Sequence, residues 1–456
     1  MTTSEHDAIV IGAGPAGEVC AGRLAEEGLD VALLERELVG GECAFWACMP
    51  SKALLRPAEL LAEVTRVPGA REAVTGEVDV PAVLARRDEI IHDLDDAVQM
   101  PWLQDRGITL VRGHARLDGE RTVRVGDTRL VARRAVVIAV GSGAAIPPVP
   151  GLRELAPWTN RQATTAAGVP ARLTVLGGGA VGCELAQAWR SLGAEVALVE
   201  ARPRLLPGEE PLASAQLEES LTGLGVAVHT GARATHAARA AGGTFTLTLE
   251  SGETLDSDEL LVAVGRRPQT DDLGLETVGL EAGATIPVDD QLRAGSHEWL
   301  FAIGDVNGRA LLTHAGKYQA QVVVATIMNR PARAIWDGPL TPRVVFTEPQ
   351  VAAVGRTLER ALADGVAARA VDAELGNTAG ASFAGKGAPS SARIVVDQDR
   401  DVIVGATVTG PDVAEMLHAA TIAIVGEVPL GRLVHAIPAF PTRSEMWLRL
   451  LADWLP

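Results

Sequence analysis

The segment GGECAFWACMPSK, residues 40–52, carries the side chains best suited to chemistry: Cys43, Cys48 and Lys52. Two thiols this close can be a structural disulfide, part of a metal site or a redox pair. Four cysteines in 456 residues are too few for a disulfide scaffold. In a reducing compartment a disulfide is more often catalytic than structural. No second pair and no nearby histidine complete a four-ligand site, so no metal is expected. Five residues of regular helix rise roughly 7.5 Å, more than the about 4.4–6.8 Å between the Cα atoms of a disulfide. A bridge therefore puts Cys43 on a distorted turn or loop. Cys48 then lies nearer the regular helix of SKALLRPAELLAEV, whose N-terminus favours thiolate.

A redox pair needs an electron source, and two stretches can hold one. AIVIGAGPAGEVCAGRLAEEGLDVALLER reads as strand, glycine loop, helix, strand. Gly12, Gly14 and Gly17 form G-x-G-x-x-G: a tight turn, a close approach to a pyrophosphate, and close packing of helix on strand. Glu35 follows Gly12 by 23 residues and ends the second strand, where a carboxylate accepts from ribose hydroxyls. LTVLGGGAVGCELAQAWRSLGAEVALVEARP repeats the pattern with Gly177, Gly179 and Gly182. Glu200 again follows the first glycine by 23 residues. One such loop is a weak signal; two complete units at equal spacing mark two dinucleotide sites. Glu200 suits the 2′-hydroxyl of NADH and repels the 2′-phosphate of NADPH, although Arg202 and Arg204 stand close enough to soften this. Cys20 and Cys183 fall in the two loop helices and read as core.

A length of 456 residues implies two to four domains. The net charge of −17 disfavours nucleic acid and anionic membrane surfaces as partners. No apolar run approaches the roughly 20 residues that span a bilayer. The opening MTTSEHDAIVIGAG lacks the regions of a secretory signal. The reading is cytoplasmic, with no nucleic-acid and no membrane partner. ARATHAARAAGG, residues 232–243, reads as a surface loop and turn.

The two dinucleotide units together with C-x4-C-x-P-S-K resemble the class I pyridine nucleotide–disulfide oxidoreductases, the family of dihydrolipoamide dehydrogenase, glutathione reductase and mercuric reductase. The resemblance runs over essentially the whole chain. VVIAVGSGAAIPPVPG, with Gly141, is similar to the strand closing the first FAD segment. LLVAVGRRPQT, with Gly265, is similar to the strand leaving the NAD domain. WLFAIGDVNGRALLTHAGKYQA, with Gly304, resembles the segment whose aspartate, here Asp305, binds the FAD ribityl chain. VVFTEPQVAAVG resembles the start of the dimerisation domain. The implied fold is α/β: two Rossmann-like dinucleotide-binding domains, for FAD and NAD, and an α+β C-terminal dimerisation domain. The implied boundaries are 1–150 for the first FAD segment, 151–265 for the NAD domain, 266–335 for a central segment completing the FAD domain, and 336–456 for the interface domain of a homodimer.

The resemblance also implies roles. Cys48 faces the flavin and Cys43 exchanges with substrate. Lys52 pairs with Glu184 beside flavin N5. IPAFPTRSEMW resembles the segment whose histidine, supplied by the partner subunit, protonates the leaving thiolate, and Glu445 stands where that histidine is oriented. Here, however, Phe440 occupies the histidine position, and phenylalanine moves no proton. His435 is the nearest alternative. Glu42 replaces a threonine before the first cysteine. Phe45 and Trp46 put two rings between the thiols, as a shield, a binding wall or core. Two readings follow. In one, electrons pass from NADH through FAD to Cys43–Cys48 and a non-standard disulfide or thiol. In the other, flavin reduces a quinone or similar small acceptor directly.

Overall fold

The computed structural model describes residues 2–385 and 387–454. The chain divides into two compact units, described in turn. The first comprises the residues up to Pro50, Arg87–Ala145 and Arg266–Gly338. Its sheet has a parallel core in the order Thr109–Arg112, Val31–Glu35, Thr2–Ile11, Thr128–Ile138, Leu300–Ala302. The long strand Thr128–Ile138 shares its outer edge. Its first residues pair antiparallel with Thr122–Val125, and its last pair parallel with Leu300–Ala302. This is the strand order of a nucleotide-binding doubly wound sheet.

Alternation explains why both faces are covered. Ala8, Val10, Leu33, Ala135 and Val137 face the layer holding Leu24, Ala320 and Val323 of the helices Pro15–Glu26 and Thr313–Ile327. Ile9, Ile11, Leu34, Val136 and Ile138 face the layer holding Leu117, Val123 and Leu130. Continuous apolar strands such as AIVI are what a sheet buried on both sides requires.

The second unit comprises Ser51–Arg86, Ile146–Gly265 and the chain from Pro339 onward. It repeats the design with a parallel sheet in the order Ala227–His229, Glu195–Val199, Arg172–Leu176, Glu259–Val262. A five-stranded antiparallel sheet follows, in the order Arg343–Val345, Gln350–Gly355, Val402–Gly410, Ser391–Asp397, Ala368–Glu374. The helix Val413–Val425 lies against it. Residues 51–86, drawn from sequence into the first FAD segment, have their core neighbours in this unit: Leu54, Leu55, Val83 and Leu84 share one cluster with Trp189, Leu198 and Val345.

The stretch 232–243 is a correction. Ala234–Arg239 is a strand, paired antiparallel with Phe245–Leu249 in a three-stranded sheet. Alanine-rich sequence has weak intrinsic strand preference, and cross-strand partners override it. Ala237 is buried, and the Arg239 guanidinium lies 4.4 Å from the centre of the Phe245 ring.

Candidate active site

Each glycine loop bridges a strand and a helix, and the two are near copies. Gly12 and Gly177 adopt φ of +101° and +117°, a left-handed turn. A Cβ on Gly17 would lie 1.9 Å from Gly12 O, and one on Gly182 1.8 Å from Gly177 O, so helix and strand touch only because both are glycine. Gly14 and Gly179 are the N-caps of Pro15–Glu26 and Ala180–Ser191, and a Cβ on either would meet nothing within 4 Å. That open space at a helix N-terminus, with no cap side chain on the first-turn N–H groups, fits a dinucleotide pyrophosphate.

The two acids are equally matched. Glu35 accepts from Ala13 N–H at 2.7 Å and Glu37 N–H at 2.7 Å. Glu200 accepts from Gly178 N–H at 2.7 Å and Arg202 N–H at 2.7 Å. Both carboxylates are thereby fixed at their strand ends with lone pairs left for ribose hydroxyls.

Asp305 follows Gly304 in a short 3₁₀ turn, Gly304–Asn307. Fully buried Gln319 fastens this turn, accepting from Gly304 N–H at 2.7 Å and Asn307 Nδ2 at 2.9 Å. Asp305 accepts from Ser142 Oγ, which in turn accepts from Arg266 Nε at 2.7 Å. Arg266 lies 3.6 Å from Asp305 and 3.7 Å from Glu42. Burial raises the Asp305 carboxyl, Ser142 and Arg266 oppose the rise, and the Glu42 charge adds to it. Gly141 and Gly265 each immediately precede a strand of the pair Ser142–Ala144 and Arg266–Pro268, which aligns Ser142 with Pro268 and Ala144 with Arg266.

The thiols occupy different helices, and Cys43 lies in a short helix where the sequence predicts a distorted turn or loop. Cys43 sits in the short helix Gly41–Phe45, the chain breaks at Trp46 and Ala47, and Cys48 opens the helix Cys48–Thr65. Neither is in a disulfide, and both are half-buried. Thr313 Oγ1 donates to Cys43 Sγ at 3.1 Å and lies 3.7 Å from Cys48 Sγ. The Cys43 thiol is held far above the usual thiol range. Its hydrogen bond to Cys48 is the main cause, then burial, then the Cys48 charge; Thr313 and Lys317 pull the other way. Phe45 is buried and its ring stands 5.8 Å from that of Trp46. Cys20 and Cys183 are fully buried, and burial pushes Cys20 up to about 12. Among the described residues no group of three or more His, Cys, Asp and Glu is placed to hold a metal, and no helix is long and apolar enough to cross a membrane.

In the second unit, Lys52 Nζ lies 2.7 Å from Glu184 Oε2 and 3.3 Å from Ser51 Oγ. Glu184 Oε1 accepts from Phe346 N–H at 2.9 Å. Phe440 is 78 % exposed and His435 is exposed. Glu445 Oε2 accepts from Gly380 N–H at 3.0 Å.

Sequence reasoning missed Thr313, Ser142, Arg266 and Phe346. Each lies in a segment that carries a recognisable motif, but only the folded chain brings it to its partner.

Two dinucleotide folds with a thiol pair define the class: a flavin- and nicotinamide-dependent oxidoreductase. Residues 6–326 match the family described as pyridine nucleotide-disulphide oxidoreductase, and residues 341–451 its dimerisation domain. The chain belongs to this family, whose cofactors are FAD and NAD(P)H. It is 34% identical over 461 residues to dihydrolipoyl dehydrogenase 3 of Pseudomonas aeruginosa, covering 96% of each chain. It is 32% identical to the dihydrolipoyl dehydrogenase of Chlorobaculum tepidum, covering 97% of this chain and 95% of that one. In fold it is similar to the HOCl-induced flavoprotein disulfide reductase RclA of Escherichia coli, with TM-score 0.86, 24% identity, and 98% and 99% of the two chains covered. LpdA of Mycobacterium tuberculosis gives TM-score 0.87 at 24% identity, with 100% of each chain covered.

Proposed function

We propose that the protein uses NADH to reduce a disulfide, NADH + H⁺ + RSSR → NAD⁺ + 2 RSH, through Cys43 and Cys48. The observation that carries this is the shared contact of Thr313 with both sulfurs, 3.1 Å from Cys43 and 3.7 Å from Cys48. Bound FAD supplies the two-electron step between nicotinamide and thiol pair. Gly12, Gly14, Gly17, Glu35, Gly141, Gly304 and Asp305 would hold it; Gly177, Gly179, Gly182, Glu200 and Gly265 would hold NADH. Cys48, first in its helix, is the sulfur that rests as thiolate. Cys43 keeps its proton by donating to Cys48 and is the sulfur that exchanges with substrate. As Cys43 attacks the disulfide, the Thr313 hydroxyl supports its thiolate. Lys52, held by Glu184, supplies a fixed cation.

The substrate follows from Phe440. With no histidine there, and with Glu445 accepting from Gly380, the leaving sulfur gains little help from a protein acid. The best substrate is then a disulfide whose leaving thiol is itself acidic, since such thiols depart fastest. The active form is a two-fold homodimer, and Phe440 and Ile437 are exposed on the single chain. The same exposed Phe440 ring favours a second reading, direct transfer to a quinone-type acceptor.

A panel of disulfides of graded thiol acidity and of quinones, run on wild type and Cys43→Ser, tests the proposal. Disulfide turnover should rise with thiol acidity and vanish in Cys43→Ser. Quinone turnover that exceeds all disulfide turnover and survives Cys43→Ser would establish the second reading.

A further inference from the structure

Lys52 and Glu184 make an ion pair, but a lysine side chain is flexible and one carboxylate oxygen does not fix its direction. The Lys52 side chain is still 36% exposed, while that of Glu184 is 6% exposed. A third residue completes the arrangement. The segment after the strand Arg343–Val345 runs along the helix Ala180–Ser191. Phe346 N–H donates to Glu184 Oε1 at 2.9 Å, and Glu348 N–H donates to Gln187 Oε1 at 2.7 Å. Positions 184 and 187 share one helix face, and residues 346 and 348 of the facing segment meet them in order. The backbone is thus locked on the helix in a single register. That register brings the Phe346 ring to Lys52, with Nζ 4.8 Å from the ring centre. The ring face is electron-rich and attracts an ammonium. Lys52 therefore has a carboxylate and a ring as its fixed neighbours.

We propose that Phe346 is a positioning residue for Lys52: its N–H fixes Glu184, and its ring confines the ammonium, so that Lys52 presents one face to the flavin. This rests on the reading of Lys52 as the cation beside the flavin. Phe346 touches neither thiol chemistry nor cofactor in this role; it acts through Lys52. A contact of this kind at a partly exposed site alters an equilibrium by about threefold, so the expected effect is graded.

Lysine stands at only three positions in the chain, 52, 317 and 386, which makes the test simple. FAD-loaded protein labelled with [13Cε]lysine should give three signals, that of Lys52 being the one lost in Lys52→Met. The ε-protons of Lys52 should be shifted upfield by the ring. Phe346→Leu and Phe346→Met should both remove that shift, and Phe346→Tyr should retain it. Two ring-removing variants guard against one of them failing to fold. In parallel, the flavin's two-electron equilibrium is measured against a reference dye. Phe346→Leu should disfavour the reduced form by about threefold, Lys52→Met should do so more strongly, and Phe346→Tyr should match wild type. A Lys52 signal unmoved by both ring-removing variants overturns the proposal. So does a flavin equilibrium that responds to Lys52→Met but not to Phe346→Leu, and that result leaves the reading of Lys52 intact. An equilibrium unmoved even by Lys52→Met overturns the reading of Lys52 and the proposal with it.

Discussion

Thr313 Oγ1 donates to Cys43 Sγ at 3.1 Å and stands 3.7 Å from Cys48 Sγ, so one hydroxyl on one helix serves both thiols. A hydrogen bond to a charged group contributes about 1.5–3 kcal/mol, and a bond to the thiolate lowers the thiol's pKa. Removing it with Thr313→Val should move Cys43 thiolate formation to higher pH. Alkylation of Cys43 in the reduced protein, followed by mass spectrometry at fixed pH, should slow by about tenfold. Thr313→Ser should keep the wild-type rate. An unchanged rate in Thr313→Val would remove Thr313 from the chemistry.

The cysteines should be separable by spectrum. Anaerobic two-electron reduction should give a long-wavelength thiolate-to-flavin absorbance. Cys43→Ser should make it permanent, because the thiolate at Cys48 then has no bridge partner, and Cys48→Ser should abolish it. Phe440→His should raise turnover on a lipoamide-type disulfide by about 10²-fold, the low end for a positioned acid. Glu445 already spends one oxygen on Gly380 N–H and has only the other to orient the ring. Glu445→Gln should cancel the gain. No gain from Phe440→His would mean that the substrate's proton comes from elsewhere.

NADH should outcompete NADPH. Glu200 is 8% exposed and fixed by two backbone N–H groups, so it cannot swing away from a 2′-phosphate. Arg204 is directed to backbone carbonyls, 3.1 Å from Pro207 O and 3.2 Å from Glu209 O. The like-charge penalty is about 1–3 kcal/mol. Stopped-flow flavin reduction should favour NADH accordingly, and Glu200→Ala should narrow the difference. Equal rates in wild type would show that Arg202 or Arg204 governs the choice.

Glu18, in the first turn of its helix, should make stability depend on pH. Burial pushes its carboxyl up to about 7; Lys317 opposes the rise and Glu35 adds to it. A group that binds its proton more tightly when folded contributes stability below its unfolded value of 4.5, and this is lost as pH rises through about 7. Glu18→Gln should therefore stabilise the protein by about 1–3 kcal/mol at pH 8 and little at pH 4. Urea unfolding at the two pH values, with and without flavin, measures it. A gain that is equal at both pH values would count against the titration.

Much of the frame was legible in the sequence because local physics dictates it. A left-handed turn and a helix lying on a strand leave no room for a side chain at Gly12, Gly17, Gly177 or Gly182, so the dinucleotide loops announce themselves. The rise of a helix separates Cys43 from Cys48, and the chain breaks between them. Low propensity misled at residues 234–239, because a strand of alanines is made by its partner and not by its own side chains.

What only the tertiary structure decided are the pairings between distant segments. Ser142 and Arg266 reach Asp305 because a two-stranded ladder aligns residues more than a hundred positions apart. Thr313 meets the thiols although 265 positions separate it from Cys48. Phe346 reaches Lys52 through a register set by two hydrogen bonds to one helix. No periodicity within a segment encodes such meetings: spacing along the chain fixes which residues can share an element, and packing between elements fixes which side chains touch.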